Sequence, residues 1–164
     1  MITHPIPPEY DENSRILILG SFPSVKSRET GYFYGPPMNR FWRVTAAVFK
    51  EEVPDSIPQK QAFLKRNGIA LWDVIASCDI TGSSDSSITN VVPNDLNRIL
   101  SVSPIEAVYV NGKKAFSLFQ KYMDIPMEAV CLPSTSPANA AWSLERLIEA
   151  WSVIKRKDHQ LCQS

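Results

Sequence analysis

The chain has 164 residues, the length of one ordinary domain, and its 44% hydrophobic and 21% charged content is that of a globular fold with its own core. Seventeen Lys and Arg balance seventeen Asp and Glu, which excludes a protein that coats nucleic acid by bulk positive charge, though not one with a local basic patch. Two histidines, His4 and His159, lie near the ends, and three cysteines, Cys78, Cys131 and Cys162, are widely spaced. An internal Ser-His-Asp or Cys-His machine, a zinc site and a secreted disulfide framework therefore have little to be built from.

Three prolines (Pro5, Pro7, Pro8) make residues 1–14 an extended arm. Arg15–Gly20 reads as a strand buried on both faces. A polar loop, Ser21–Met38, leads to Asn39, which suits the N-cap of a helix reaching Lys50. A second helix is expected over Pro58–Asn67, with Gly68 at its end. Ile69–Ile75 is the second strand, followed by a Ser/Asp/Thr/Gly loop at Ser77–Thr89 and a short helix at Pro93–Leu100. Ile105–Val110 is the third strand, Gly112–Tyr122 a helix, Glu128–Leu132 the fourth strand and Asn139–Lys155 the last helix. Residues 156–164 are expected to be a frayed tail.

Strand and helix alternate four times, the pattern of an α/β fold: a three-layer α/β/α sandwich around a four-stranded parallel sheet, in a single domain spanning residues 1–164. Ligands of such sheets bind beyond the carboxyl ends of the strands, so the loops after Gly20, at Asp73, at Asn111 and after Leu132 carry the interest. The loop at Gly20 lacks the dinucleotide, Walker A and nucleophile-elbow patterns. Gly31–Trp42 holds five aromatics in twelve residues, a candidate surface for stacking a planar ring. Phe41 and Trp42 fit the buried face of the helix; Phe33 and Tyr34 precede it and are free for a pocket. Charge is also uneven: Ser21–Lys50 has five bases against one acid, and Glu51–Leu100 four bases against seven acids. The basic strip suits phosphate contact or a solvated helix face about equally. Leu132–Trp142 offers hydroxyls and stiffening prolines that suit either helix capping or phosphate binding.

Six segments in order resemble the uracil-DNA glycosylase superfamily, and within it the hypoxanthine-DNA (deoxyinosine) glycosylase branch. They are 17–24 (LILGSFPS), 34–42 (YGPPMNRFW), 71–74 (LWDV), 92–95 (VPND), 111–115 (NGKKA) and 132–140 (LPSTSPANA), and they extend over most of Ile16–Trp151. The resemblance implies a monofunctional enzyme that flips a deaminated base out of the stack and hydrolyses its N-glycosidic bond. It implies DNA as the partner; separately, the lack of metal-ligand spacing, of a long apolar run and of a signal layout leads to the expectation of no metal or cofactor, no membrane and a cytoplasmic protein, and nothing in the sequence suggests more than a monomer. The water-positioning acid of the uracil enzymes is replaced here by Phe22, and their motif-two histidine by Leu132. Asn39 is then the residue associated with catalysis, orienting water or base, with backbone amides stabilising the leaving group. Ser21, Phe22, Phe33, Tyr34, Asp73 and Asn111 are candidates for holding the base, Phe22 by stacking. Pro23, Ser24, Lys26, Arg40, Lys113, Ser134, Thr135, Ser136, Pro137 and Asn139 are candidates for contacting DNA. For Asp73, Asn111 and Asn39 a purely local role, as strand-end or capping residues, stands beside the functional one. Uracil or xanthine as the base, or a non-catalytic nucleotide- or partner-binding module, are the alternatives. A serine hydrolase built on Ser21 lacks an internal histidine, and a lyase lacks a placed lysine.

Overall fold

Uninterrupted apolar residues place Ile16–Gly20 at the centre of the molecule, with all five positions buried. The computed structural model describes residues 1–155. In chain order the elements are β1 (Ile2–Thr3), β2 (Ile16–Gly20), α1 (Val25–Thr30), α2 (Phe41–Val48) and α3 (Ile57–Arg66), then β3 (Ile69–Asp73), β4 (Ile75–Asp79) and β5 (Thr89–Pro93). They continue with α4 (Asn97–Leu100), β6 (Ala107–Asn111), α5 (Lys113–Tyr122), β7 (Ala129–Leu132) and α6 (Leu144–Trp151). The four expected strands form a parallel sheet in the order β3-β2-β6-β7. Helices pack against it, and its apolar face residues join one buried cluster running from Ile6 to Ile154.

Register puts the strand ends in line. Gly20 pairs with Asp73, and Asn111 with Leu132, so the four loops expected to carry chemistry leave the same edge of the sheet. Gly20 is required there: a Cβ would stand 2.5 Å from Asp73 Oδ1 and 3.3 Å from the Tyr34 hydroxyl.

Several expected boundaries move, each for a local reason. A helix, α1, interrupts the polar loop of Ser21–Met38; the Ser24 hydroxyl caps it by accepting from Ser27 N–H, and Gly31 ends it in a left-handed conformation (φ +78°). The second strand ends at Asp73 rather than Ile75. The Val74 and Ile75 amides follow the outgoing β2 chain, donating to Gly20 and Ser21 carbonyls, and the chain then enters a second, antiparallel sheet of order β1-β4-β5. Much of the Ser77–Thr89 loop is therefore β4 and a 3-10 turn at Asp85–Ser87. Pro93 ends β5, which shortens the following helix to α4. The last helix starts at Leu144, where Ser143 caps it, and residues 133–143 form a loop. The arm is extended as expected but docked: β1 pairs with β4, and Glu9 exchanges two backbone hydrogen bonds with Leu71 along the open edge of β3. The expected tail, 156–164, lies outside the described residues.

Candidate active site

One cavity of about 260 Å³ opens at the carboxyl ends of the strands. It borders all seven residues expected to hold or act on a base: Ser21, Phe22, Phe33, Tyr34, Asn39, Asp73 and Asn111. It also borders Pro23, Ser24, Ser134, Thr135, Ser136 and Pro137. A space this small suits a single planar base rather than a dinucleotide.

Aromatic rings form the walls. Phe22 is buried, with the Arg28 guanidinium 5.6 Å from its ring centre and the His4 ring set edge-on to it at 5.7 Å. Phe33 is 2% exposed, so it is a core residue whose side borders the cavity, contrary to the expectation that it stands clear of the core. Tyr34 is half-buried and stacks on Phe41 at 4.0 Å, with its backbone in the left-handed region at φ +53°. Its hydroxyl faces Asp73 and Asn111 but completes no hydrogen bond of good geometry. Burial, reinforced by the Asp73 charge, raises its proton affinity, so it stays an O–H donor.

The polar lining is held by one network. Asn39 Oδ1 accepts from Phe41 N–H at 2.9 Å and from the Thr135 hydroxyl at 2.9 Å. Both donors need an oxygen there, which fixes the amide orientation and leaves the Asn39 NH2 without a partner among the described residues. Thr135 also receives the Asn111 Nδ2–H at 3.0 Å and returns its backbone N–H to Asn111 Oδ1 at 3.0 Å. Asn39 thus does more than cap: Arg40 occupies the cap position of α2, and Asn39 ties the aromatic loop to the loop after β7.

Two carboxylates reach the cavity. Asp73, 4% exposed, receives His4 Nε2 at 2.7 Å on Oδ2. Asp85 comes from the second sheet's loop and accepts the Ser21 hydroxyl at 3.1 Å. Desolvation raises the Asp85 pKa and Asp73 pushes it further, while Ser21 and Lys114 pull it back. Neither His4 nor Asp85 was marked by the sequence. His4 corrects the expectation that the terminal histidines stay out of the interior: strand β1 carries it behind the pocket wall, against Asp73, Phe22 and Phe33, where its side chain is 4% exposed. It does not revive a serine hydrolase, because its nitrogens are engaged by Ile6 N–H and Asp73, and Ser21 turns to Asp85.

The residues expected to contact DNA divide into three groups. Lys26, Lys113 and Pro137 are exposed, and Ser24, Ser134 and Ser136 half-exposed. Thr135 and Pro23 are buried, so they shape the cavity rather than reach a backbone phosphate. Arg40 is turned inward. Its guanidinium donates to the carbonyls of Trp142, Ser136 (2.9 Å) and Asn139 (3.1 Å), while Asn139 Nδ2 donates to the Ser134 carbonyl at 3.0 Å. Arg40 and Asn139 therefore brace the loop after β7. No lysine borders the cavity among the described residues.

Residues 7–155 match the family model of the uracil DNA glycosylase superfamily. The chain is 36% identical over 158 residues to a hypoxanthine DNA glycosylase of Methanosarcina acetivorans, covering 95% of this chain and 99% of that protein. It is 33% identical over 148 residues to a hypoxanthine DNA glycosylase of Methanosarcina barkeri, covering 89% and 93%. A solution NMR structure from Methanosarcina acetivorans, described as that of a candidate uracil DNA glycosylase, superposes with a TM-score of 0.77 at 32% identity, covering 94% of this chain and 99% of that one. With the parallel sheet, the strand-end cavity and the ordered segments around it, these matches establish that the chain belongs to the uracil DNA glycosylase superfamily.

Proposed function

We propose that this protein is a monofunctional DNA glycosylase that flips hypoxanthine out of DNA and hydrolyses its N-glycosidic bond. The observation that carries the reading is the pairing, in one base-sized cavity between aromatic walls, of an anionic acceptor, Asp73, with an oriented amide donor, Asn39. Hypoxanthine offers the complementary edge, a ring N–H beside a carbonyl oxygen. Two relatives named hypoxanthine DNA glycosylases support the same base over uracil or xanthine.

In the proposed reaction the C1′–N9 bond breaks and its electron pair leaves with the base, whose developing charge the Asn39 NH2 stabilises. A water oxygen bonds to C1′. The water's proton needs an acceptor, and the Asn39 carbonyl is already filled by two donors. Asp85, a carboxylate that borders the cavity and is held by the Ser21 hydroxyl, takes that role, and the proton passes on to the released base. Lys26, Lys113, Ser134, Ser136 and Pro137 face the DNA on this reading. A cytoplasmic monomer of one domain completes it; the thiols of Cys78 and Cys131 are free, and no described helix is long and apolar enough to cross a membrane.

The test is excision from single- and double-stranded oligonucleotides carrying hypoxanthine, uracil, xanthine or a mismatched normal base, read as alkali-labile sites. Hypoxanthine should be released fastest. Asn39→Asp keeps the acceptor for Phe41 and Thr135 but removes the donor, so it should stay folded and lose about 10²–10³-fold in rate. Faster release of uracil, or an Asn39→Asp protein with normal rates, would refute the corresponding assignment.

A further inference from the structure

His4 has no part in the proposed reaction, yet its side chain is only 4% exposed. It also precedes the residues matched by the family model, which begin at residue 7. The Ile6 N–H points at His4 Nδ1 at 3.2 Å. A backbone N–H needs a lone pair to bond, so the ring proton sits on Nε2 and is donated to Asp73 Oδ2 at 2.7 Å. Phe22 and Phe33 flank the imidazole, with ring centres 5.7 and 6.3 Å away. Asp73 Oδ1 is packed against Gly20 on the Tyr34 side and accepts no hydrogen bond from the described residues. One carboxylate oxygen is therefore occupied from behind, and the other is left for a ligand.

Resting on the assignment of Asp73 to base binding, we infer that His4 is a positioning residue that makes Asp73 a one-oxygen reader and thereby sets which purine is accepted. Hypoxanthine presents one donor on its pairing edge, the N1–H, and one oxygen meets it. Adenine presents a lone pair at N1 and is repelled by the carboxylate. Guanine presents N1–H and an exocyclic amine, the two-donor edge that a carboxylate with both oxygens free pairs bidentately. With one lone pair of Oδ2 taken by His4 and the carboxylate held in place, the guanine amine would have to share that oxygen with the imidazole, and a site that leaves a polar group poorly paired disfavours that ligand. The arm thus supplies a filter against a normal base that differs from hypoxanthine by one amino group.

The experiment compares wild type, His4→Gln and His4→Phe on single-stranded oligonucleotides containing one hypoxanthine or one guanine target, with kcat and KM measured for both and the thermal midpoint recorded. Gln places an amide N–H near the position of Nε2, so His4→Gln should keep the hypoxanthine-to-guanine ratio within about threefold of wild type. His4→Phe fills the space without the donor. Its hypoxanthine kcat/KM should fall about 10–100-fold, the loss expected when a hydrogen bond to a charged group is removed, and its preference over guanine should shrink at least tenfold. A His4→Phe protein that is active and keeps the wild-type ratio overturns the inference, as does a His4→Gln protein that fails like His4→Phe while its thermal midpoint is unchanged. If His4→Phe does not fold, the ratio of His4→Gln decides alone, and a ratio changed more than tenfold counts against the inference. Wild-type protein that releases no hypoxanthine refutes the underlying activity instead, a result separate from any difference among variants.

Discussion

Asp85 is a carboxylate whose proton affinity is raised by desolvation and by Asp73, against the pull of the Ser21 hydroxyl and Lys114. Its ionised form is thus less favoured in the folded chain than in the unfolded one. A group with a raised folded pKa contributes stability below its unfolded pKa, and that contribution is lost as pH rises through the folded pKa. Removing the charge by Asp85→Asn should therefore help at neutral pH and make no difference in acid. Because the side chain sits at the solvent-facing rim, the gain is discounted to a rise in thermal midpoint of up to about 2–3 °C at pH 7, fading toward pH 4. Excision should move the other way, falling about 100-fold or more if the side chain accepts the water's proton. Calorimetric scans at pH 4 and 7 and rates at pH 7 check both. A variant that is destabilised at pH 7, or one with unchanged rate, contradicts the account. The opposed directions are those of a residue kept for chemistry at some cost in stability.

At the scale of elements, a single side chain from outside the loop after β7 gathers three of its carbonyls. Arg40, at the start of α2, reaches the carbonyls of Ser136, Asn139 and Trp142, and its own N–H donates to the Thr135 carbonyl at 3.0 Å. Lysine carries the charge but not the planar fork that meets several carbonyls at once. Arg40→Lys should raise hydrogen exchange of the amides in residues 134–142 about tenfold or more, with a parallel loss of excision. Unchanged exchange with weakened DNA binding alone would return Arg40 to the phosphate role that its place in a basic strip suggests. This residue also marks where the sequence stops being informative. The parallel sheet was legible because β2, β3, β6 and β7 are short apolar runs, and ligand sites follow from strand ends. The seven pocket residues were legible because they lie in the loops those ends impose and in ordered segments resembling one family. The partners of Arg40 are backbone carbonyls about a hundred positions away, and no pattern of residue types announces them. The second sheet was hidden for a related reason: its strands are Ile2–Thr3, Ile75–Asp79 and Thr89–Pro93, two residues long, polar, or ended by proline, with β5 largely exposed. His4 and Asp85 depend on that sheet for their placement, so they were missed along with it.

Across the whole molecule the balanced charge total takes on a narrower meaning. Of the five bases between Ser21 and Lys50, Arg40 is spent on loop carbonyls, and Arg28 donates to the carbonyls of Pro23 (3.2 Å) and Gly82 (2.6 Å). The basic strip is partly internal scaffolding. Exposed lysines beside the cavity loops are fewer: Lys26 in α1 and Lys113 at the start of α5. Half-buried Lys114 is already drawn toward Asp85. A protein that neutralises two or three phosphates should show a modest salt dependence. The slope of log affinity against log salt concentration should be roughly −2 to −3 for a hypoxanthine-containing duplex. Replacing Lys26 and Lys113 together by Gln should flatten the slope by roughly 2 and weaken damaged and undamaged duplex alike, because phosphate contacts carry no base information. Fluorescence anisotropy across a salt series measures both quantities. A slope steeper than about −6 would require a basic surface that the inward-turned arginines do not provide. A double variant that lost only its preference for the damaged duplex would move those lysines from the DNA backbone into the base pocket.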